Sequence, residues 1–274
     1  MIIDAHCHAG KGDGLTGPWD TDAALGKYLS RARRAGINRT VLFAAFHSDY
    51  AGANLEVARI VARNPRRFYG FAFVNPARDK GRIYPMIKQA VSRYGFCGIK
   101  VHRHDARITR EVCDAARTFS LPVIYDVMGE VSVCELLAEE YPDVNFIIPH
   151  LGSFADDWAA QSALIDHLTR HPNIYTDTSG VRRFDLLEQA VKRAGARKIL
   201  FGSDGPWLHP LVELTKIYAL NLSAEDKNLI LGGNFLRLTN RVLSNIAVFS
   251  VHRENSLKAR SQLTSDSNLF TGYN

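Results

Sequence analysis

The segment Ile2–His8, with the sequence IIDAHCH, is a short apolar run that ends in two histidines. Further apolar runs rich in β-branched residues follow it at intervals of roughly 25 to 35 residues, the length of one βα unit. These runs are Thr40–Phe46, Phe68–Asn75, Cys97–His102, Pro122–Val127, Asn145–Leu151, Asn173–Ser179 and Lys198–Asp204. Because most of them are continuously apolar rather than alternating, they predict strands covered on both faces, as in a parallel sheet.

Helical patterns occupy most of the gaps between these runs. Residues 21–35 repeat apolar side chains at helical spacing and are followed by Gly36, a typical residue after a helix end. Further helices are predicted at Leu55–Ala62, Tyr84–Tyr94, Arg110–Phe119, Val131–Glu140, Asp156–Thr169 and Leu186–Ala194. The pattern predicts an α/β protein with a single (β/α)8 TIM barrel over residues 1–249. The polar segment 250–274 is predicted to be a poorly ordered tail without chemistry.

The composition fits one barrel domain of a mildly basic, soluble protein, with a field that attracts anionic substrates as the alternative interpretation of its charge. The chain has 274 residues, of which 46% are hydrophobic, enough to bury one large core. Its net charge of +6 is spread along the chain rather than gathered in a block, which argues against nucleic acid as a partner. No stretch reads as a membrane span or a leader, and the four cysteines show no C-x-x-C pair. We therefore expect a cytoplasmic protein without a membrane partner.

His6 and His8 stand at the carboxyl end of the first predicted strand. Alternate residues of a strand point the same way, so the two imidazoles project together and can clamp a metal ion. An H-x-H pair is a weak signal alone, but barrel enzymes carry their active sites at this end of their strands. Asp4 is expected one layer deeper, where it orients an imidazole or braces the barrel.

Ionisable residues end several other predicted strands. They are Lys100 and His102 on the fourth run, Asp126 on the fifth, His150 on the sixth and Asp204 on the eighth. Buried charge is costly unless it is paired or bound to a metal, so the set together indicates an active site. The glycine-rich segment Ala9–Asp20 follows the first strand and is either a lid over that site or a plain connection.

The sequence resembles the amidohydrolase superfamily, specifically the amidohydrolase-related branch that includes aminocarboxymuconate-semialdehyde decarboxylase-like enzymes. The resemblance runs from Met1 to about Leu238, in the segments IIDAHCH, NPRRFYGFAFVNP, GFCGIKVHRH, LPVIYD, YPDVNFIIPHLGS, HPNIYTDTSG, ILFGSDGPW and GGNFLRL. It implies that His6 and His8 are metal ligands. It also implies that Asp204 binds the metal and shuttles the proton of the bound water, and that His150 polarises the substrate.

One position departs from the family pattern. The family usually has a metal-binding histidine at the end of strand five, where this chain has Asp126. Either Asp126 binds the metal through oxygen, or the site is weakened or lost, and we favour the first because the other ligands remain. The predicted centre holds one divalent ion, Zn²⁺ with Mn²⁺ or Fe²⁺ as alternatives. Its predicted ligands are His6, His8, Asp126 and Asp204.

Lys100 has two interpretations. In two-metal relatives a lysine on strand four is carboxylated and bridges the ions, but that arrangement also needs the strand-five histidine. We therefore expect Lys100 to stay cationic, and either to bind a substrate carboxylate together with His102 and Arg103 or to pair with Asp126. Arg182 and Arg183, beyond strand seven, extend this cluster. The cluster indicates an anionic, carboxylate-bearing substrate, with a solvated basic rim as the alternative.

The residues fit several functions. The first expectation is a metal-dependent hydrolase of a C–O or C–N bond in a small organic acid, lactone or amide, with Asp204 and His150 as catalytic residues. A carboxy-lyase is the main alternative, because decarboxylases of this branch share the ligand pattern. A metal-dependent nuclease is disfavoured, since Lys100 stands where those enzymes carry a glutamate. The last alternative is a barrel that has lost its metal and only binds ligands. A homodimer is compatible with a barrel of this kind, although the sequence shows no interface.

Overall fold

The structure, a computed structural model, describes residues 1–15, 22–154, 157–244 and 246. Short strands alternate with helices along these residues, as the sequence predicts. The strands are β1 (Ile3–Lys11), β2 (Asp22–Ala23), β3 (Arg39–Ala44), β4 (Phe68–Gly70), β5 (Ala72–Phe73), β6 (Ile99–His102), β7 (Val123–Asp126), β8 (Phe146–Ile148), β9 (Ile174–Asp177) and β10 (Ile199–Leu200). The third predicted run is divided at Phe71 into β4 and β5, so the eight runs supply the eight strand positions of a barrel.

The barrel strands pair in parallel and in chain order. β1 pairs with β3, and β3 pairs with β4. Each strand from β5 to β9 pairs with the strand that follows it in the chain, so this series ends at β10. The amide of Phe71 donates to the carbonyl of Leu42 in β3 at 2.9 Å, which keeps the chain in the barrel wall between β4 and β5. The amide of Ala5 in β1 donates to the carbonyl of Phe201, just after β10, at 2.9 Å. These bonds close the sheet, and the predicted single (β/α)8 barrel is confirmed.

Helices cover the outside of the barrel. They are α1 (Leu25–Arg34), α2 (Tyr50–Arg63), α3 (Ile83–Tyr94), α4 (Arg110–Phe119), α5 (Val133–Glu140), α6 (Trp158–Arg170), α7 (Phe184–Ala194), α8 (Pro210–Ala219) and α9 (Ala224–Asn228), followed by helical residues 234–244. The helix predicted at Leu55 begins earlier, because the Asp49 side chain caps it by accepting the amide of Ala51 at 3.0 Å. The sequence analysis did not predict α8, which the side chain of His209 caps.

Three predicted segments lie partly or wholly outside the described residues. Residues 250–274, predicted to be a poorly ordered tail, and residues 247–249 of the predicted barrel domain belong to the undescribed part. The segment Ala9–Asp20, predicted to be a lid or a connection, is described only as far as Leu15. It is not a loop throughout, because Ala9–Lys11 extends β1, and Gly10 and Lys11 pair with β2. Within the described residues, no helix combines the length and the apolar character needed to cross a lipid bilayer.

The strand interiors explain where the site forms. Every residue of β6, β7, β8 and β9 is buried, in agreement with their continuously apolar sequences. The polar exceptions are concentrated toward the carboxyl ends, where Asp126 ends β7 and Asp177 ends β9. Because parallel strands all end at the same rim of the barrel, these side chains are gathered in one place.

Candidate metal centre and active site

A cavity of about 520 Å³ lies among the side chains at the carboxyl ends of the barrel strands. Its polar lining residues are His6, His8, Lys100, His102, Asp126, His150, Ser153 and Asp204. Its apolar lining residues are Phe46, Met128, Phe154, Trp207 and Leu208. The structure thus brings the site residues predicted from the sequence into one cavity, with the exception of Arg103 and of Arg182 and Arg183, which were expected to extend its cluster.

His6, His8 and Asp204 form a candidate metal centre, with one donor atom of each residue within 4.8 Å of the others. Oδ1 of Asp204 lies 3.4 Å from Nε2 of His6 and 3.7 Å from Nε2 of His8. All three residues are buried. Two imidazoles and a carboxylate that converge at these separations suit a divalent cation with nitrogen and oxygen ligands.

The barrel backbone and Asp177 orient the two imidazoles. Nδ1 of His6 lies 2.7 Å from Oδ2 of Asp177, and Nδ1 of His8 lies 2.8 Å from the carbonyl oxygen of Ala44. Both partners are acceptors, so each Nδ1 carries the proton and each Nε2 lone pair faces the centre. Nε2 of His6 is buried without a hydrogen-bond partner among the described residues, and a cation would satisfy it. The residues present therefore fit a metal ion.

The electrostatic surroundings keep both imidazoles neutral. Burial lowers the pKa of His6 and holds the pKa of His8 well below its usual value, and the positive charge of Lys100 acts in the same direction. Neutral imidazole is the form that binds a metal ion. The protonation state of the pair thus agrees with its geometry.

Asp177 is a site residue that the sequence analysis missed. Its Oδ1 accepts the backbone amides of His150 at 3.1 Å and Ser179 at 3.0 Å, and the Ser179 hydroxyl at 2.5 Å. Burial alone would raise the pKa of Asp177, but the adjacent imidazole of His6 and its hydrogen bond hold this pKa well below its usual value. Its position at the end of β9, within the quoted segment HPNIYTDTSG, is the signal that could have identified it.

Asp126 contacts two other histidines. Its Oδ2 lies 3.1 Å from Nε2 of His102 and 3.4 Å from Nε2 of His150, and its Oδ1 accepts the amide of Met128 at 2.9 Å. Asp126 is not among the residues whose donor atoms converge with those of His6 and Asp204. The structure therefore does not bring this predicted ligand into the group of three.

His150 and Asp126 form an ion pair in the cavity wall. Burial alone would lower the pKa of His150, but the hydrogen bond and the charge of Asp126 raise it to about 9. Burial alone would raise the pKa of Asp126, but His102 and His150 hold it well below its usual value. The pair therefore favours the protonated form of the His150 imidazole, which can donate a proton.

Lys100 and Arg103, both predicted to bind substrate, are placed differently. Lys100 is fully buried at the cavity, and its Nζ lies 5.0 Å from the ring centroid of Phe43 without a hydrogen-bond partner in the described chain. Burial lowers the pKa of Lys100. The guanidinium of Arg103 donates to both oxygens of Glu130, at 3.0 and 2.8 Å. Lys100 is thus available to an acceptor in the cavity, whereas Arg103 is engaged outside it.

The backbone is strained at the cavity. Among the described non-glycine residues, Met128, His150 and Asp204 have φ angles of 49°, 59° and 52°, in the left-handed region that such residues rarely adopt. All three line the cavity. Strained backbone of this kind is concentrated at functional sites, where the surrounding structure holds it in place.

Asp4 braces the barrel beneath the centre, as the sequence analysis expected. It accepts the hydroxyl of Tyr28 at 2.6 Å and both the amide and the hydroxyl of Ser203, the amide at 2.9 Å. These bonds tie β1 to α1 and to the segment that follows β10. Burial raises the pKa of Asp4 to about 6, against the lowering effect of its hydrogen bonds.

Comparison with known proteins identifies the family. The family model described as amidohydrolase matches residues 3–238. The chain belongs to the amidohydrolase family. This membership confirms the resemblance drawn from the sequence motifs. All three residues of the candidate metal centre of this amidohydrolase lie within the matched region. A sequence search among curated proteins finds no match.

Several solved structures share the fold of this amidohydrolase. The 5-carboxyvanillate decarboxylase of Sphingomonas paucimobilis is 14% identical, over 87% of this chain and 98% of its own, with a TM-score of 0.67. A dihydroxybenzoic acid decarboxylase of Polaromonas sp. JS666, with bound manganese and 2-nitroresorcinol, is 17% identical over 87% and 96%, with a TM-score of 0.67. The 4-oxalomesaconate hydratase of Rhodopseudomonas palustris is 18% identical over 96% and 100%, with a TM-score of 0.66. At these identities the likeness shows the fold alone.

Proposed function

We propose that the protein is a metal-dependent carboxy-lyase that releases CO2 from a small aromatic or unsaturated acid. The observation that carries the proposal is the imidazole of His150, which faces the carboxylate of Asp126 at 3.4 Å in the same buried cavity as the candidate metal centre. The hydrogen bond and the charge of Asp126 raise the pKa of this imidazole and so favour its protonated form. Decarboxylation needs positive charge to hold the acid and a proton for the carbon that loses CO2. The decarboxylases among the solved structures of this fold support the choice over hydrolysis.

His6, His8 and Asp204 are the residues that would hold one divalent cation. Two imidazoles and one carboxylate suit Zn²⁺, the ion expected from the sequence, and Mn²⁺ is the ion in the Polaromonas decarboxylase. When bound, the cation supplies positive charge that orients an anionic substrate and stabilises charge developing on its oxygens. Asp126 is left out of this set, because its oxygens face His102, His150 and the amide of Met128.

The remaining cavity wall suits a flat, apolar body with a negative charge. Phe46, Phe154 and Trp207 supply aromatic faces, against which a planar ring or conjugated chain can pack. Lys100 is buried without a hydrogen-bond partner among the described residues, and an oxygen of the substrate would satisfy it. We therefore assign Lys100 to the substrate's anionic group, with His102 beside it in the same wall.

The proton step is assigned to His150. Breaking the bond between the carboxylate and its carbon releases CO2 and leaves the electron pair on that carbon. Nε2 of His150 lies 3.4 Å from Oδ2 of Asp126, a long contact that a bound substrate can replace. The proton on Nε2 is transferred to the carbon and forms the new C–H bond. His150 then regains a proton from solvent, which Asp126 favours by its negative charge.

The test is CO2 release from a panel of acids that contains 2,6-dihydroxybenzoate and 5-carboxyvanillate, with the protein loaded with Zn²⁺ or Mn²⁺. His150→Gln should lower turnover at least roughly 100-fold while the metal content stays unchanged. Asp204→Asn should abolish both turnover and metal binding. His47→Gln, outside the cavity lining, is the matched control and should keep wild-type activity.

Hydrolysis is the second candidate, and the position of the Asp204 carboxylate favours it. A carboxylate 3.4 Å and 3.7 Å from the two imidazoles is placed to act as a base beside the cation, as the sequence analysis expected. A panel of lactones and amides, run in parallel with the acids, separates the two functions. Turnover of a lactone without any CO2 release would decide against the carboxy-lyase.

We infer a cytoplasmic setting and a small anionic substrate as the partner. Cys7, Cys97, Cys113 and Cys134 are all free and buried, which agrees with a reducing compartment. A homodimer stays a prediction from the sequence, and analytical ultracentrifugation of the purified protein measures it.

A further inference from the structure

Three side chains on neighbouring strands form a carboxylate shared by two histidines. His102 ends β6 and pairs in register with Asp126, which ends the adjacent β7, and His150 follows β8 on the other side. Oδ2 of Asp126 lies 3.1 Å from Nε2 of His102 and 3.4 Å from Nε2 of His150. All three residues are buried and line the cavity. We name this group the His102–Asp126–His150 cluster.

The contacts on the far side of each ring determine which nitrogen carries a proton. Nδ1 of His102 accepts the amide of His104 at 3.0 Å, so the proton of a neutral His102 is on Nε2 and points at Asp126. Nδ1 of His150 lies 2.8 Å from the carbonyl oxygen of Ser179, which can only accept, so this nitrogen carries a proton. Both rings are therefore held on one side by the main chain and on the other by Asp126.

The second oxygen of Asp126 is also engaged. Oδ1 accepts the amide of Met128 at 2.9 Å, two residues further on. Met128 lines the cavity with a φ of 49°, so this bond holds the turn after β7 in a strained conformation. Asp126 thus accepts from one backbone donor and faces two ring nitrogens, and a cation bound to it would have to displace some of these contacts.

We propose that Asp126 is a positioning residue that holds the imidazoles of His102 and His150 at the cavity wall, and that it does not bind the metal ion. A histidine at this strand end could not do the same, because a neutral imidazole has one acceptor lone pair, whereas a single carboxylate oxygen has two and can accept from both rings while the other oxygen accepts the amide of Met128. The exchange of the family's histidine for Asp126 therefore converts a metal donor into an acceptor shared by two rings. Only the part of this proposal that concerns the reaction, in which His150 supplies the proton, rests on the proposed function.

The experiment compares Asp126→Asn with the Zn²⁺-loaded wild type. The asparagine side chain would keep one acceptor oxygen but lose the charge and the second acceptor. Zinc per chain should stay unchanged by elemental analysis, in contrast to Asp204→Asn. The ¹⁵N signals of the imidazoles of His102 and His150, assigned from His102→Gln and His150→Gln, should shift toward other tautomers. Turnover should fall roughly 10- to 100-fold, as for other residues that orient a functional imidazole.

Asp79→Asn is the matched control. Asp79 is a buried aspartate that accepts the amide of Asn75 at 2.9 Å, and it does not line the cavity. This variant should keep wild-type zinc content and histidine signals. Asp126→Glu, which retains the carboxylate, should return the histidine signals toward those of the wild type and covers the case in which Asp126→Asn does not fold.

Two results would overturn the proposal. A loss of zinc in Asp126→Asn as large as that in Asp204→Asn would show that Asp126 is a metal ligand. Unchanged histidine signals in a folded Asp126→Asn would show that it orients neither ring. Both readouts are made without substrate, so a failure to release CO2 would refute the proposed carboxy-lyase activity and leave this test valid.

Discussion

Replacing Asp177 with Asn should weaken metal binding although Asp177 is not one of the three converging residues. The Asn side chain keeps one oxygen, which can still accept the amides of His150 and Ser179. Its amide nitrogen then stands where Oδ2 faces Nδ1 of His6 at 2.7 Å. Two N–H groups cannot face each other, so His6 must move its proton to Nε2, the atom that faces the candidate metal centre, or rotate away.

The size of the effect follows from these contacts. Removing an outer partner of a metal-binding histidine costs about 10- to 100-fold in metal affinity, which is about 1.4 to 2.7 kcal/mol. The lost bond also joins a charged group to a buried partner, and Asp177 is 1% exposed, so solvent cannot replace it. We therefore expect the free energy of unfolding of the metal-free protein to fall by about 1.5 to 3 kcal/mol.

Zinc affinity is measured by competition with a chromophoric chelator, and stability by urea unfolding of the metal-free protein. Asp185→Asn is the matched control, because Asp185 is exposed and pairs with Arg183 at 2.7 Å, and exposed ion pairs contribute little to stability. Zinc affinity within about twofold of wild type in a folded Asp177→Asn would refute the claim that Asp177 sets the tautomer of His6.

Three further perturbations test other parts of the molecule. In the metal-free protein, the free energy of unfolding should fall as pH rises from about 6.5 to about 9, because the folded state, with its raised His150 pKa, binds the proton more tightly than the unfolded chain. His150→Gln should flatten this pH dependence, measured by urea unfolding at several pH values. An unchanged pH dependence in the variant would contradict the prediction. Tyr28→Phe should cost about 1 to 3 kcal/mol in urea unfolding, since it removes a 2.6 Å hydrogen bond to buried Asp4. Lys100→Met should raise the KM of an anionic substrate roughly tenfold or more, whereas Arg103→Met should change it by less than about twofold. Equal effects of the two variants in steady-state kinetics would argue against the assignment of Lys100 to the substrate's anionic group.

The sequence was sufficient to predict the barrel because its signals are local. Continuous apolar runs predict buried strands, and their spacing matches one βα unit, so strand number and order follow without any contact being known. The exact ends of the elements depend on capping contacts, which is why α2 begins at Tyr50 rather than at Leu55. The division of the third run at Phe71 likewise appears only in the folded hydrogen-bond pattern.

The sequence predicted most of the residues that belong to the candidate site, but not which of them contact one another. Ionisable residues at strand ends must meet at one rim of a barrel, so His6, His8 and Asp204 could be grouped from the sequence. Asp177 was missed although it obeys the same rule, because an aspartate at a strand end carries no motif of its own. Arg103 was included because of its neighbours in sequence, whereas its side chain is engaged by Glu130.

Periodicity, spacing and residue type along the chain thus suffice to predict the fold and the ionisable groups that meet at the cavity. Which of these groups face one another is a property of the folded barrel, because the contacts join residues far apart in sequence and depend on the twist and stagger of the strands. That arrangement directs Asp204 toward His6 and Asp126 toward His102 and His150. It also shifts their pKa values, since burial and neighbouring charges, not residue type, lower the pKa of His6 and raise that of His150.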